Sequence, residues 1–379
     1  MTKFIPYGRQ CIGEDDIKAV VEVLRSNWIT TGPAVDEFEN AITEFTGAEY
    51  GVAVSSGTAA LHAAMYAIGI APGDEVIVPA MTFAATATTV VLQGGKPIFC
   101  DVDAGKLLID PNQVEAKITP KTKAIVAVDY TGQTCQYDVL REIADKNNLV
   151  LVADACHSIG GEYNGRKVGT LADLTAFSFH PVKHITTGEG GMIVTNNPKY
   201  YQRMRMFRNH GITLDHRQRS EKGLWFYEVE YPGYNYRITD IQCALGTSQL
   251  KKLPAWIKRR QEIALRYDES FNDMSEIKSL DVTPCGSHAY HLYVVRILDA
   301  DRNEVFSFLR DAGIGVNVHY IPVHLHPFYR RRFGIKEGLC PVAEAAYIQI
   351  LSLPIFPMMT DGDVDTVIQA VYEAMAKNT

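Results

Sequence analysis

The sequence has no Cys-x-x-Cys pair. Its seven cysteines, Cys11, Cys100, Cys135, Cys156, Cys243, Cys285 and Cys340, are odd in number and irregularly spaced. That speaks against a disulfide framework and for reduced, mostly buried thiols in a cytoplasmic protein. The opening MTKFIP lacks the apolar h-region of a signal peptide. No apolar run is long enough to span a bilayer, because Gly, Pro or Asp interrupts each candidate. There is no excess of positive charge either: the formal net charge is −7, so neither nucleic acid nor a membrane is expected as a partner. No Gly-x-Gly-x-x-Gly follows a strand, which removes the dinucleotide fingerprint. GGEYNGRK, from Gly160 to Lys167, looks like a P-loop only faintly, with Arg166 and Val168 at the two deciding positions, and reads better as a hairpin turn. His180 and His184 stand four apart without the His-Glu-x-x-His frame, and Pro181 opposes a helix between them. His324 and His326 share one face of an extended HLH segment, which alone does not make a metal site, and none is expected.

What the sequence does contain is a long alternation of strand and helix patterns. With 379 residues, 46% hydrophobic and 21% charged, it can bury a large core and fill two domains. An amphipathic helix between Glu14 and Ser26 opens the fold, with Ile17, Val20, Val21 and Leu24 at helical spacing. Then YGVAV, DEVIVP, KPIFCDVD, KAIVAVD, LVLVADA, LTAFSF and GMIVTN read as short apolar strands. AALHAAMYAIG, TFAATATTVVLQ, YDVLREIADKNN and PKYYQRMRMFRNHG read as helices. Continuous apolar strands separated by helices predict an α/β fold with a mostly parallel sheet covered on both faces. Beyond about Leu250 the pattern becomes α+β, with LPAWIKRRQEIALRYDESF, AYHLYVVRI, RNEVFSFLRDAG, GVNVHY and a terminal helix DGDVDTVIQAVYEAMAK. The expected division is a large domain over 12–250 and a smaller one over 251–379, with 1–11 packing against the latter.

In such a sheet, ligands bind at the carboxyl ends of the strands. Three of those ends carry polar groups suited to one ligand. Ser56, Gly57 and Thr58 in SSGTAAL sit at a strand-to-helix turn, where free N–H groups favour a phosphate, or where a hydroxyl simply caps the helix. Asp154 ends the strand LVLVAD, where a carboxylate meets a cation, caps a helix or forms a structural ion pair. Ser178 and Lys183 follow the strand in FSFHPVKHITTGEGG, and a lysine there is either used or lies on a surface loop. A phosphate cup, a buried carboxylate and an amine in that order match the needs of pyridoxal 5′-phosphate. Phe83, at another strand end, is placed to stack on the ring or to fill the core.

These segments, with SNWITTGPAVDEFE, ADACHSIGG and GYNYRITDIQCALG, resemble the DegT/DnrJ/EryC1/StrS family of sugar-nucleotide aminotransferases over nearly the whole chain. The resemblance implies the aspartate-aminotransferase-like, type I fold. It implies that Lys183 binds the cofactor covalently, that Asp154 meets the pyridine nitrogen, and that His157 lies against the ring. Gly57, Thr58 and Ser178 then hold the phosphate, joined by Asn235 of a neighbouring subunit, so a homodimer with shared active sites is implied. Some relatives carry histidine at the lysine position and dehydrate sugars; this chain keeps lysine. IPYGRQCIGEDDI, AVDYTG, FRNHGIT and VHYIPVHLHPFYRR are similar to the members that serve pseudaminic acid biosynthesis, which implies a UDP-linked 4-keto sugar as acceptor and L-glutamate as donor. The Trp28–Pro33 stretch departs from the Leu-Thr-Gln-Gly-Pro of that subgroup. Perosamine-type and 4-amino-arabinose-type acceptors, a cofactor-binding regulator and a nicotinamide oxidoreductase stay open as other readings. Candidate substrate contacts are Tyr7, Arg208, His210, Arg237, His319 and Tyr320; each has a structural hydrogen bond or a surface charge as its plainer role.

Overall fold

Nine short runs of the N-terminal two thirds become strands in the computed structural model, which describes residues 4–214 and 216–378. Residues 1–3 of the N-terminal segment and residue 379 of the C-terminal one lie outside the described residues. In chain order the strands are β1 (Tyr50–Val54), β2 (Glu75–Pro79), β3 (Lys96–Cys100), β4 (Thr122–Val128) and β5 (Val150–Asp154), then β6 (Glu162–Tyr163), β7 (Arg166–Lys167), β8 (Leu174–Ser178) and β9 (Gly191–Thr195). Seven of them form one sheet in the order β1-β9-β8-β5-β4-β2-β3. Its β2·β3, β2·β4, β4·β5 and β5·β8 pairs are parallel; β9 alone runs against both of its neighbours. The strands are apolar without alternation because both faces are covered: in β4, β8 and β9 nearly every residue is buried. This is the α/β sheet expected from the sequence.

The hairpin read from GGEYNGRK is present as β6 and β7, antiparallel to each other. Asn164 and Gly165 take positive φ values of 49° and 71° at its turn, the left-handed pair that a two-residue hairpin loop requires. The cysteines are all unpaired, and four of the seven are buried.

Two hydrophobic cores result. The larger lies around the sheet and the helices Pro33–Thr46, Gly57–Ala67 and Ala84–Leu92. The smaller gathers residues such as Ile263, Tyr267, Val295, Leu351 and Val367, together with Ile5 from the N-terminal segment. Ile5 is tied there by backbone hydrogen bonds to Gly313 and Gly315 at 2.9 and 2.7 Å. The C-terminal residues also feed the larger core, through Leu253, Leu292, Val323 and Ile350. The two cores therefore share elements instead of dividing cleanly at position 250.

Two local expectations change. In AYHLYVVRI the strand begins only at Tyr293. Ala289 and Leu292 instead donate backbone hydrogen bonds to Gly132 and Thr131, which pulls the intervening residues out of the sheet. GVNVHY contributes a single bridge, Asn317 to Ser352, and no full strand; its continuation runs towards the carboxyl edge of the large sheet, where Val323 N meets Ala80 O at 2.9 Å.

Candidate active site

The parallel strands end on one edge, and there they surround a cavity of about 650 Å³ lined by the last residues of β4, β5 and β8, by the segments that follow β1 and β2, and by the 317–320 segment. Of the residues singled out from the sequence, Tyr7, Gly57, Thr58, Phe83, Asp154, His157, Ser178, Lys183, His319 and Tyr320 line it together.

At the first strand end, Ser56 is the N-cap of the helix Gly57–Ala67, and its hydroxyl accepts from Ala59 N at 3.1 Å. By position the N–H groups of Gly57 and Thr58 have no partner inside the helix. A Cβ on Gly57 would lie 2.8 Å from Ser178 Cβ and 3.2 Å from Cys156 Sγ. The glycine is what lets the helix start come against Ser178, leaving a concave cluster of backbone donors and a hydroxyl. That cluster fits a phosphate.

At the second, Asp154 is buried, 5% exposed. Thr86 Oγ1 donates to its Oδ2 at 2.7 Å, and Cys156 N approaches its Oδ1 at 3.4 Å. Asp154 has no salt-bridge partner among the described residues. A buried carboxylate without a cation is costly, and this one faces the cavity, so it suits a ligand that brings its own N–H⁺. The plainer reading, a structural ion pair, does not apply.

At the third, the chain leaves β8 and returns along β9 through a pinned loop. Phe179 N donates to Gly190 O at 2.9 Å and Thr187 N to Phe179 O at 3.0 Å, and Lys183 N closes a turn on His180 O at 2.9 Å. Lys183 thereby projects into the cavity. Burial pulls its ammonium below the ordinary lysine range, and Cys156 and Asp154 offset part of that. Its Nζ lies 3.5 Å from His291 Nε2. His157, with its ring centroid 4.4 Å from that of His291, is held well below the ordinary imidazole range by burial and then by Lys183. Its Nε2 is 3.1 Å from the Tyr320 hydroxyl, and its Nδ1 is buried without a partner. Phe83 is exposed at the cavity mouth, its ring 5.8 Å from that of Tyr320; it is not a core aromatic.

Tyr7 and His319 meet at 5.4 Å between rings. His319 Nδ1 lies 2.8 Å from Ser352 Oγ, and burial, then Lys183, pulls the imidazole down to about 4. His319 is a neutral ring at neutral pH.

Four residues singled out from the sequence are placed elsewhere. Arg208 forms a buried ion pair with Glu39 and donates to Ala53 O at 2.7 Å. It does not line this cavity, and its partners here are structural. Arg237 donates to Asn209 Oδ1 at 2.8 Å, and with Arg205 and Arg208 it lines a separate cleft of about 70 Å³. His210 is exposed, its N–H bonded to Tyr234 O at 2.9 Å. Asn235 is exposed, bridges Asn209 through the backbone and does not line its own chain's cavity. Sequence reasoning also missed members of the site. His291 was hidden inside an apparent strand, and Thr82 and Thr86 inside an apolar helix pattern. Among the described residues no group of three or more His, Cys, Asp or Glu side chains is arranged to hold a metal ion.

The donor cluster at Gly57, Thr58 and Ser178, the unpaired Asp154 carboxylate and the Lys183 amine thus fit pyridoxal 5′-phosphate. Comparison with known proteins agrees. The DegT/DnrJ/EryC1/StrS aminotransferase family matches residues 10–372. The spore coat polysaccharide biosynthesis protein SpsC of Bacillus subtilis is 43% identical over 374 residues, 97% of this chain and 96% of that one. Among solved structures, Spr1654 of Streptococcus pneumoniae, described as a sugar aminotransferase and solved in a PLP form, superposes with a TM-score of 0.93 at 34% identity, covering 99% of each chain. PseC of Helicobacter pylori, described as an aminotransferase in pseudaminic acid biosynthesis, gives a TM-score of 0.91 at 32% identity, covering 99% of this chain and 100% of the other.

Proposed function

Because the chain belongs to the DegT/DnrJ/EryC1/StrS aminotransferase family, and so is a PLP-dependent sugar aminotransferase of type I fold, we propose that it moves the amino group of L-glutamate onto the 4-keto carbon of a UDP-linked deoxy-N-acetyl sugar. The product is UDP-4-amino-4,6-dideoxy-N-acetyl-β-L-altrosamine. The observation that carries the chemistry is the meeting of Lys183 with an unpaired, buried Asp154 in one cavity.

Pyridoxal 5′-phosphate, when bound, supplies an electron sink for proton removal next to the amino nitrogen and carries that nitrogen between the two half-reactions. The chain's residues supply the rest. The N–H groups of Gly57 and Thr58 and the Ser178 hydroxyl bind the phosphate. Asp154 Oδ1 holds the proton on the ring nitrogen. His157 and Phe83, both lining the cavity, would flank the ring. Lys183 Nζ anchors the aldehyde end and then takes and returns the proton of the reacting carbon. Its lowered basicity suits that cycle, since a proton carrier works best when its pKa lies near the working pH. Tyr7, His319 and Tyr320 close the sugar side of the cavity with neutral polar groups.

We take the assembly to be a homodimer with shared sites. Asn235 is exposed and does not line its own chain's cavity, and the Leu224–Tyr227 stretch leaves Trp225 85% exposed, an apolar surface that a second copy would cover. A second acceptor, another keto sugar nucleotide such as a perosamine-type or 4-amino-arabinose-type precursor, is favoured by one observation. SpsC, a spore coat polysaccharide protein, is 43% identical to this chain, against 32% for PseC.

The test is product identification. Purified protein, pyridoxal 5′-phosphate, L-glutamate and each UDP- or GDP-linked keto sugar are incubated, and the product is analysed by mass and NMR. The UDP-linked N-acetyl sugar should give the 4-amino product named above. Amination of another keto sugar in its place would move the assignment to that acceptor.

A further inference from the structure

Asp154 is held by a two-hydroxyl chain. Thr86 Oγ1 donates to Asp154 Oδ2 at 2.7 Å, and Thr82 Oγ1 lies 2.8 Å from Thr86 Oγ1. Both threonines are about 1% exposed, so bulk water cannot replace either donor. Each hydroxyl has one proton and a carboxylate has none to give. The Thr86 proton goes to Asp154, so the Thr86 oxygen accepts the proton of Thr82. The chain therefore runs in one direction, Thr82 to Thr86 to Asp154, and each bond polarises the next.

A threonine inside a helix commonly turns its hydroxyl back to the carbonyl four residues earlier. Thr86 stands in the first turn of the helix Ala84–Leu92, with Thr82 just before its N-cap Phe83, and its hydroxyl meets the Thr82 side chain and the carboxylate. The consequence at Asp154 is asymmetric. Oδ2 accepts the short bond from Thr86, while Oδ1 is met by Cys156 N at the longer distance of 3.4 Å.

We infer that Thr86, backed by Thr82, is a positioning residue for the cofactor: it locks the Asp154 carboxylate so that Oδ1 is the oxygen presented to the ring nitrogen. The inference rests on the cavity being the pyridoxal 5′-phosphate site. Thr86 touches neither substrate nor ring in this arrangement; it acts through Asp154.

The test uses apoprotein titrated with pyridoxal 5′-phosphate, read by the visible band of the bound cofactor and by its pH dependence. Thr86→Val keeps the shape and removes the donor. A hydrogen bond to a charged group is worth enough that affinity should fall about 10- to 100-fold, and the pH at which the visible band changes should shift from that of wild type. Thr86→Ser should restore both. Thr82→Val should show a smaller loss in the same direction, and it carries the test if Thr86→Val does not fold. Wild-type affinity and a superimposable pH profile in both valine variants would overturn the inference while leaving the cofactor site intact. A folded Thr86→Ser that restores neither property would also overturn it. Wild type that takes up no cofactor would remove the functional reading and this inference with it.

Discussion

Lys183 is worth most at the scale of one residue, because its amine does two incompatible things well only when burial has weakened its hold on a proton. Desolvation disfavours the ammonium, and the Asp154 and Cys156 side chains restore some of its charge. An alanine at 183 removes both the anchor and the proton carrier but leaves the phosphate cluster at Gly57, Thr58 and Ser178. Lys183→Ala should still take up pyridoxal 5′-phosphate, and borohydride should fix no adduct on the peptide containing position 183. Single-turnover rates should fall at least about a thousandfold, the upper part of the range for losing a positioned acid–base. An added small amine should recover part of that rate. Turnover near wild type without any added amine would mean that another group moves the proton. Arg208 teaches the opposite lesson at the same scale. An arginine in FRNHG looks like an anion receptor until its partner is known, and that partner, Glu39, stands 169 positions earlier in the chain.

Elements decide which residues can meet. Five parallel strands, β3, β2, β4, β5 and β8, end on one edge, so polar groups far apart in sequence but each just past an apolar run fall into one cavity. That much is legible from the runs themselves: Ser56 after β1, Phe83 after β2, Asp154 at the end of β5 and Lys183 after β8 needed no non-local information. His291 did need it. Its segment has the composition of a strand, and only the backbone bonds of Ala289 and Leu292 to Gly132 and Thr131 turn it into the cavity. Thr86 is hidden differently: in TFAATATTVVLQ nothing distinguishes the one threonine that faces a carboxylate. The helix starting at Gly57 gives the prediction proper to this scale. A methyl group at 57 would stand 2.8 Å from Ser178 Cβ, so the helix start must retreat from β8. Gly57→Ala should cost about 1–3 kcal/mol of stability, as overpacked sites do. It should also weaken cofactor binding about tenfold or more through misplaced donors to a charged group. Urea denaturation of the apoprotein and a cofactor titration separate the two effects. Unchanged affinity alongside reduced stability would move the phosphate away from this turn.

The whole molecule joins its two cores through a set of neutral imidazoles next to the cavity. Arg260, from the helix Leu253–Phe271, donates to the carbonyls of Tyr290, His291 and Ile355. Burial draws it down to about 9, so it is still a cation at neutral pH. Around it, burial holds His184 and His291 well below the ordinary imidazole value and brings His288 to about 3. His157 is likewise held low, as is His319 at about 4. In the larger core His62, to whose Nε2 Gln93 Nε2 donates at 2.7 Å, falls to about 4. All six rings are neutral in the fold and would bind a proton near 6.5 once unfolded. The unfolded chain therefore binds more protons below that pH, and stability must fall as pH drops from about 6.5 towards 4. Asp129 opposes this. Burial raises its carboxyl to about 7 against donors from Ser158, Cys135 and Tyr137, so it holds a proton in the fold at pH 5 that it would release on unfolding. Burial raises the Asp268 carboxyl in the same sense, but two aspartates against six histidines leave the acid-destabilising side dominant, on the order of several kcal/mol in total. The urea midpoint of the apoprotein should thus be clearly lower at pH 5 than at pH 7.5, with the decline beginning near 6.5. His184, His288 and His291 sit where the two cores meet, so amide exchange should rise first in the 286–292 stretch and in the helix Leu253–Phe271. A midpoint that is flat between pH 7.5 and 5 would mean that these rings are already charged in the fold, and would remove the neutral setting in which Lys183 is placed.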